Sequence, residues 1–240
     1  MRVLNSVVHR AGRWYIDKIC LSEFRNQTFT DHNERSIEYR FALQALAEKR
    51  PQSVLDVGTG TTAWPHLLRN CGYVVTAIDN VRDYWPDGMI NRHWHVLDGD
   101  ISKEITVALG KYEAITCISV LEHIKDHVAA VSNMVALLEP GGLLILTTQF
   151  SYSNPDPNVY MRRDALYGKD LSYICRSSSS TELSQWLSCG LALKQKELWQ
   201  LFTGNVWATG ERCKWLQAQT ESQPHQLGCF LFVKTQSLTG

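Results

Sequence analysis

Length, composition and charge exclude several classes of protein. The chain has 240 residues, enough for one well-buried domain. Its 24 basic and 24 acidic side chains balance, so no overall charge attracts nucleic acid or an anionic membrane. No apolar run approaches the roughly 18 residues that a membrane span requires. The seven cysteines are scattered without a Cys-x-x-Cys pair, which indicates reduced thiols. We therefore expect a soluble cytoplasmic protein without a nucleic-acid partner.

Residues 1–50 predict an N-terminal helical segment. Ile37, Phe41 and Leu46 recur at near-helical spacing, and Pro51 then disfavours helix in the residue before it.

From residue 51 onward, short apolar strands alternate with longer amphipathic segments, which predicts an α/β fold. The sheet is expected to be doubly wound, mostly parallel and seven-stranded, with helices on both faces and an antiparallel last strand. Residues 150–180, rich in Ser, Asn and Pro, predict an acceptor-site loop. We expect residues 51–240 to form the main domain, and the whole chain to be one compact domain. The predicted strands are 54–57, 73–78, 93–97, 112–118, 143–148, 191–202 and 227–234, and the predicted helices after residue 51 are 64–71, 126–138 and 181–189.

The segment Val54–Ala63 predicts a strand, a glycine turn and a helix start, where backbone N–H groups can meet a ligand. Two ligands compete for this turn. Gly58-x-Gly60-x-x-Ala63 matches the dinucleotide fingerprint, with Asp79 near the expected distance, so an NAD-dependent oxidoreductase is one alternative. However, Asp56 at the strand end would repel a pyrophosphate. Its carboxylate suits the ammonium group of S-adenosylmethionine, which the sequence therefore favours.

Four further segments extend this pattern over about residues 50–150, in order. They are Ala77-Ile78-Asp79, Gly99-Asp100-Ile101, Ile118–Ile124 and Leu138–Leu144. Together with Asp56-Val57-Gly58-Thr59-Gly60 they resemble the class I S-adenosylmethionine-dependent methyltransferases with a Rossmann-like fold, in particular the ubiquinone-type and glycan-type small-molecule O-methyltransferases. Thr62 departs from that pattern, since many members of the family have a third glycine there.

The resemblance implies a set of residues that bind S-adenosylmethionine. Asp79 would accept hydrogen bonds from the ribose hydroxyls. Asp100, or alternatively Asp98, would accept one from the adenine amino group, and Ile101 would pack on the purine. In similar methyltransferases the helices before the first strand close over the cofactor, so residues 1–50 are expected to cover the site. The full cofactor-binding set is Asp56, Gly58, Thr59, Gly60, Asp79, Asn80, Asp100, Ile101 and Ser119.

His123 is the candidate general base, because a hydroxyl acceptor must lose its proton during methyl transfer. It follows the fourth predicted strand, at the sheet edge where such folds bind ligands. Glu122 would orient His123 or bind the acceptor; a purely structural role for the pair is the alternative. Some relatives hold a divalent metal here with Glu-x-x-Glu-His. This chain has Ser119 at the first of those positions, so we expect no metal.

The sequence thus predicts a methyltransferase that converts S-adenosylmethionine to S-adenosylhomocysteine, by in-line transfer to a hydroxyl of a small molecule, sugar or glycan. A non-catalytic S-adenosylmethionine-binding module is the second alternative. The acceptor atom (O, N or C) and the oligomeric state stay open. Candidate acceptor-site residues are Arg35, Tyr39, Tyr152, Asn154 and Tyr160, with Arg176 and Trp207 as further possibilities.

Overall fold

The chain forms two units, Met1–Glu34 and Arg35–Gly240. The computed structural model describes residues 2–28, 33–82, 89–104, 109–171 and 173–235. The first unit contains helix α1 (Arg2–Asn26). The second begins with helix α2 (Arg35–Lys49), so α2 belongs to the unit that carries the sheet. The expected domain organisation, with a segment boundary at residue 50, stays a prediction.

The second unit is built on one eight-stranded sheet in the order β3-β2-β1-β4-β5-β8-β6-β7. Strands β3, β2, β1, β4 and β5 run parallel to their neighbours. Strand β8 is antiparallel to β5 and β6, and β7 is antiparallel to β6. This confirms the α/β prediction and the antiparallel last strand. The bounds are β1 Ser53–Val57, β2 Val74–Asp79, β3 Leu97–Asp98, β4 Tyr112–Ile118, β5 Leu138–Gln149, β6 Leu191–Phe202, β7 Arg212–Ala218 and β8 Leu227–Lys234.

Helices cover both faces of the sheet, as the doubly wound prediction requires. Side chains on a strand alternate between faces, so Leu143 and Ile145 of β5 pack on one face and Leu144 and Leu146 on the other. The first face is covered by α2 and α3 and the second by α4 and α5. The remaining helix bounds are α3 Trp64–Asn70, α4 His127–Leu137 and α5 Ser180–Ser188.

The sheet differs from the prediction in two places. It has eight strands rather than seven, because β7 pairs with β6 at the edge. The predicted third strand, 93–97, is also wrong, since β3 contains only Leu97 and Asp98. The side-chain oxygen of Asn91 accepts hydrogen bonds from the N–H groups of His93 and Trp94, both at 2.8 Å. This local turn competes with an extended strand.

The two ends of the connection between β5 and α5 pair with each other through isolated β-bridges. Phe150 and Asp156 form isolated bridges with Ser178 and Ser177, and Asn158 caps a single 3-10 turn, Val159–Met161. The N–H of Arg176 donates to the carbonyl of Glu122 at 2.8 Å, which brings the end of the connection beside β4. Within the described part of the chain, no helix has the length and apolar character needed to cross a membrane.

Candidate active site

A cavity of about 750 Å³ opens at the carboxyl edge of the parallel strands. The chain leaves β1 toward β2 on one side, while β4 lies on the other side of β1. Ligands bind at such a switch point in open α/β sheets. The predicted site residues that line the cavity are Arg35, Tyr39, Asp56, Gly58, Thr59, Gly60, Asp79, Asn80, Asp100, Ile101, Ser119 and His123.

The glycine turn after β1 lines the cavity. Gly58 and Gly60 have φ angles of +75° and +56°, a region that glycine enters without steric cost. A Cβ atom built on Gly58 would overlap the side chain of Val120. The side-chain amide of Asn91 donates to the carbonyls of Gly60 and Thr62, both at 2.9 Å. Asn91 lies outside every motif of the sequence, so no pattern predicts this contact.

Asp56, the next-to-last residue of β1, precedes this turn and is almost completely buried. One carboxylate oxygen accepts from the Thr59 hydroxyl at 2.6 Å, and the other from the Thr116 hydroxyl at 2.7 Å. Burial raises the pKa of Asp56 to about 6, although both hydroxyls act in the opposite direction. Asp56 is therefore mainly ionised at pH 7 and presents negative charge to the cavity.

Two more carboxylates lie at the carboxyl ends of the next two strands, because Asp79 is the last residue of β2 and Asp100 lies two residues after β3. Asp79 accepts from the N–H of Gly60 at 2.6 Å, and burial raises its pKa. Asp100 accepts from the N–H and hydroxyl of Ser102 at 2.9 and 2.7 Å. Partial burial alone would raise the pKa of Asp100, but Ser102 and the Lys103 ammonium outweigh it and lower the pKa. Asp98 instead bonds the N–H of Val81 at 3.1 Å, and Asp100 is the one of the two acids that lines the cavity.

His123 lies in a short 3-10 turn, Leu121–His123, and lines the same cavity. Its Nδ1 is 2.7 Å from the carbonyl oxygen of Ile174. A carbonyl only accepts, so this contact assigns the proton to Nδ1 and leaves the lone pair on Nε2. Burial lowers the pKa of His123, while the Ile174 carbonyl acts in the opposite direction. The ring is therefore a neutral imidazole at pH 7. The Tyr173 ring packs against it edge-on, with ring centroids 5.1 Å apart.

Glu122, the neighbour of His123, lies in the protein interior and outside the described lining of the cavity. It accepts from the Thr148 hydroxyl at 3.0 Å. Burial raises the pKa of Glu122 to about 8, so the group is mainly protonated at pH 7. Its predicted role beside His123 stays a prediction.

Arg35 and Tyr39, one turn apart on α2, line the cavity together. The Tyr39 ring stacks on the Trp64 ring with centroids 4.5 Å apart. Trp64 also lines the cavity, as do Tyr173 and Ile174 from the connection between β5 and α5. Trp64, Tyr173 and Ile174 belong to none of the sequence motifs and are not among the predicted site residues.

The other predicted acceptor-site residues lie outside the described lining of the cavity. The Tyr152 hydroxyl bonds Lys196 Nζ at 3.1 Å. Tyr160 packs between the rings of His123 and Trp207. Arg176 donates to the carbonyls of Ile124 and Lys125. The N–H of Asn154 donates to the Ser151 hydroxyl at 3.2 Å.

The hydrogen-bond acceptors of the cavity fit a ligand that carries hydroxyl, amino and ammonium groups. Asp56, Asp79 and Asp100 each present an acceptor at a different strand end, whereas a pyrophosphate would meet Asp56 at the turn. Among the residues that the structure describes, no group of three or more His, Cys, Asp or Glu side chains is arranged to hold a metal ion.

Comparisons with known proteins give the same picture. The sequence model of a family described as "Methyltransferase domain" matches residues 30–202. The ubiquinone biosynthesis O-methyltransferase of Xanthomonas campestris pv. campestris is 31% identical over 125 residues, which cover 48% of this chain and 49% of that one. The chain thus spans about half the length of the curated relatives it matches.

Two solved structures share the fold. The 1,6-didemethyltoxoflavin-N1-methyltransferase of Burkholderia thailandensis, solved with S-adenosylhomocysteine, has a TM-score of 0.57 and 16% identity, covering 95% of this chain and 90% of that one. The N-methyltransferase NodS of Bradyrhizobium japonicum, with the same bound product, has a TM-score of 0.50 and 16% identity, covering 87% and 91%. At these identities the two structures show the fold alone. The family match covers most of the chain and agrees with the motifs: the chain belongs to the methyltransferase-domain family, among the class I S-adenosylmethionine-dependent methyltransferases.

Proposed function

We propose that this protein transfers a methyl group from S-adenosylmethionine to a hydroxyl group of a small molecule or sugar. The observation that carries the proposal is the neutral imidazole of His123 in the same cavity as the Gly58–Gly60 turn. A donor site and a base that share one cavity are what hydroxyl methylation requires. When bound, S-adenosylmethionine supplies an electrophilic methyl group on its sulfonium.

The strand ends would hold the donor along the cavity. Asp100 and Ile101 suit the adenine and Asp79 suits the ribose hydroxyls, as the resemblance implies. Asp56 faces the turn with negative charge, which suits the methionyl ammonium. Arg35 also lines the cavity, and a guanidinium suits the methionyl carboxylate.

His123 would take the proton of the acceptor hydroxyl on Nε2. The Ile174 carbonyl at 2.7 Å supports this role in two ways. It holds the ring in one tautomer, and it stabilises the imidazolium that forms. Tyr39 and Tyr173, which line the same cavity, supply flat apolar surface for an aromatic or sugar ring.

The acceptor atom is the finer part of the proposal. The curated relatives are named O-methyltransferases, which favours oxygen, whereas the two solved structures described above are N-methyltransferases. A neutral amine already carries a lone pair, so it depends less on a base than a hydroxyl does. A glycan acceptor rests on the sequence resemblance alone. A cytoplasmic location belongs to the same proposal and is supported by the seven cysteines, all of which are free.

Two measurements test the proposal. Calorimetry with S-adenosylmethionine, S-adenosylhomocysteine and NAD should show binding of the first two and not of NAD. Formation of S-adenosylhomocysteine should then be followed over a panel of phenols, sugars and amines. Turnover with phenols or sugars is expected. NAD binding without methionyl-cofactor binding would overturn the donor, turnover with amines alone would overturn the oxygen acceptor, and binding without turnover would favour a non-catalytic module.

A further inference from the structure

Glu38 is a fully buried carboxylate that lies outside the described lining of the cavity but contacts two residues within it. Its Oε2 accepts from Nη1 of Arg35 at 2.8 Å. Its Oε1 accepts from the Ser119 hydroxyl at 2.5 Å and from the Thr147 hydroxyl at 2.6 Å. One oxygen therefore binds Arg35, and the other binds Ser119 and Thr147.

The Ser119 contact coincides with unusual backbone. Ser119 follows β4 with a φ angle of +49°, which is uncommon for any residue other than glycine. Its N–H donates to the Thr147 carbonyl at 3.0 Å and is 3.1 Å from the Thr147 hydroxyl. Glu38 and Thr147 thus bind Ser119 through both side chain and backbone. Such a strained conformation persists only when its surroundings hold it.

The contact with Glu38 holds the guanidinium of Arg35, a long and flexible side chain, in one position. The Arg35 side chain is 36% exposed, while the Glu38 side chain is 0% exposed. A long side chain at a cavity rim loses rotamer entropy when it binds a ligand. A buried carboxylate that already holds the guanidinium removes part of that cost. Glu38 and Arg35 are three residues apart on α2, so the helix sets the geometry of the pair.

We propose that Glu38 is a positioning residue, which holds Arg35 and Ser119 in the arrangement that receives the methionyl part of S-adenosylmethionine. The proposal rests on the proposed function, because it presumes that this cavity binds the donor. Glu38 itself touches no reacting atom. Its effect would reach the donor only through the two residues that it holds.

The substitution Glu38→Gln separates the two contacts. The amide oxygen can still accept from Ser119 and Thr147, but the amide NH₂ would face the Arg35 guanidinium, and two donors cannot pair. Glu48→Gln is the matched control, because Glu48 is an exposed residue on the same helix whose carboxylate bonds Gln44. The Kd for S-adenosylhomocysteine should rise about tenfold in E38Q and stay unchanged in E48Q.

A double-mutant cycle tests whether Glu38 acts through Arg35. The Kd for S-adenosylhomocysteine should rise about tenfold or more in R35A. The double variant E38Q/R35A should then bind no more weakly than R35A alone. Two effects that multiply would overturn the positioning role, and so would a folded E38Q with the wild-type Kd.

The outcomes also separate this inference from the proposed function. If the wild-type protein binds no S-adenosylhomocysteine, the proposed function fails. If it binds and E38Q binds equally well, only the role of Glu38 fails. Should E38Q not fold, Ser119→Ala replaces it, since this change removes the hydroxyl that Glu38 holds. Wild-type binding in both S119A and R35A would then overturn the proposal.

Discussion

Burial keeps the imidazole of His123 neutral, and the Ile174 carbonyl determines which nitrogen carries the proton. Because the pKa lies below the usual value, the base form is present above that pKa and is lost as the pH falls through it. With a hydroxyl acceptor, kcat/KM should therefore be level around neutral pH and fall as the pH drops through this lowered pKa.

His123→Ala should lower kcat by about 100-fold or more. The Kd for S-adenosylhomocysteine should stay within about twofold, because the base acts on the acceptor. His66→Ala is the control, since His66 is exposed on α3. An unchanged rate in H123A with an active acceptor would remove His123 from the mechanism.

Glu122 makes the stability of the fold depend on pH. Its pKa is about 8 in the folded chain, against an ordinary value of 4.5. Between these values the folded state binds a proton that the unfolded state releases. This contribution to stability is fully present below about pH 4.5 and is lost as the pH rises through about 8.

The Glu122→Gln side chain is neutral at every pH. The stability of E122Q should therefore increase relative to that of the wild type as the pH rises. We expect the difference in Tm between E122Q and wild type to grow between pH 5 and pH 8, measured by thermal unfolding. Asp56 titrates in both proteins, so its contribution to the pH dependence cancels in the difference. The exposed Glu48→Gln is the control for replacing a carboxylate by an amide. A Tm difference for E122Q that does not change with pH would contradict the prediction.

A side chain at position 58 would lower stability for two separate reasons, its backbone conformation and a steric contact. Gly58→Ala would place a Cβ at a φ angle of +75° and against Val120. Gly72→Ala has only the first cost, because its φ angle is +100° and nothing lies within 4 Å. We expect G72A to lose about 1 kcal/mol of unfolding free energy. G58A should lose a further 1–3 kcal/mol, roughly the cost of overpacking. Urea unfolding measures both, and equal losses would exclude the steric contact.

The sequence could predict the strand-end carboxylates of the site for a physical reason. A residue within about two positions of the end of a parallel strand must lie at the carboxyl edge, so Asp56, Asp79 and Asp100 converge on one cavity wherever the strands pair in this order. Glu38 and Tyr173 carry no such local signal. Their positions depend on how α2 and the long connection pack, which pairwise spacing in the sequence does not specify.

At the scale of elements, α5 begins with a complete capping box. The Ser179 hydroxyl accepts from the N–H of Thr181 at 3.2 Å, and the Glu182 carboxylate accepts from the N–H of Ser179 at 2.8 Å. Ser179→Ala should lower the unfolding free energy by about 1 kcal/mol. Ser184→Ala, an exposed change within the same helix, should have less than half that effect in the same urea titration. Equal effects would show that the cap adds nothing.

Elements with a strong local pattern could be predicted closely. Strands β4, β6 and β8 have the predicted bounds, and α4 begins directly after its cap, Asp126. Strand β7 was missed although half-buried Cys213 and Trp215 alternate with exposed Arg212 and Lys214. An edge strand buries little apolar surface and pairs on one side only, so its sequence resembles that of a loop.

At the scale of the whole molecule, a ligand that binds only the folded state must stabilise it. S-adenosylhomocysteine at 100 times its Kd should add about 2.7 kcal/mol. For a chain of this size that raises the Tm by roughly 5–10 °C. Asp79→Ala should abolish most of the shift at the same ligand concentration. NAD at equal concentration should leave the Tm unchanged, and a shift with NAD instead would favour the dinucleotide alternative.

The position of β8 inside the sheet has a consequence for synthesis. Strands β6 and β7 join β5 only through β8, which follows both in the chain. A growing polypeptide therefore presents β6 and β7 before the strand that links them to the rest of the sheet has left the ribosome. Strands β1 to β5, with the turn and the carboxylates that line the cavity, can pair earlier. The half of the sheet that forms the cavity is thus available to assemble first, and β8 attaches the remainder to it.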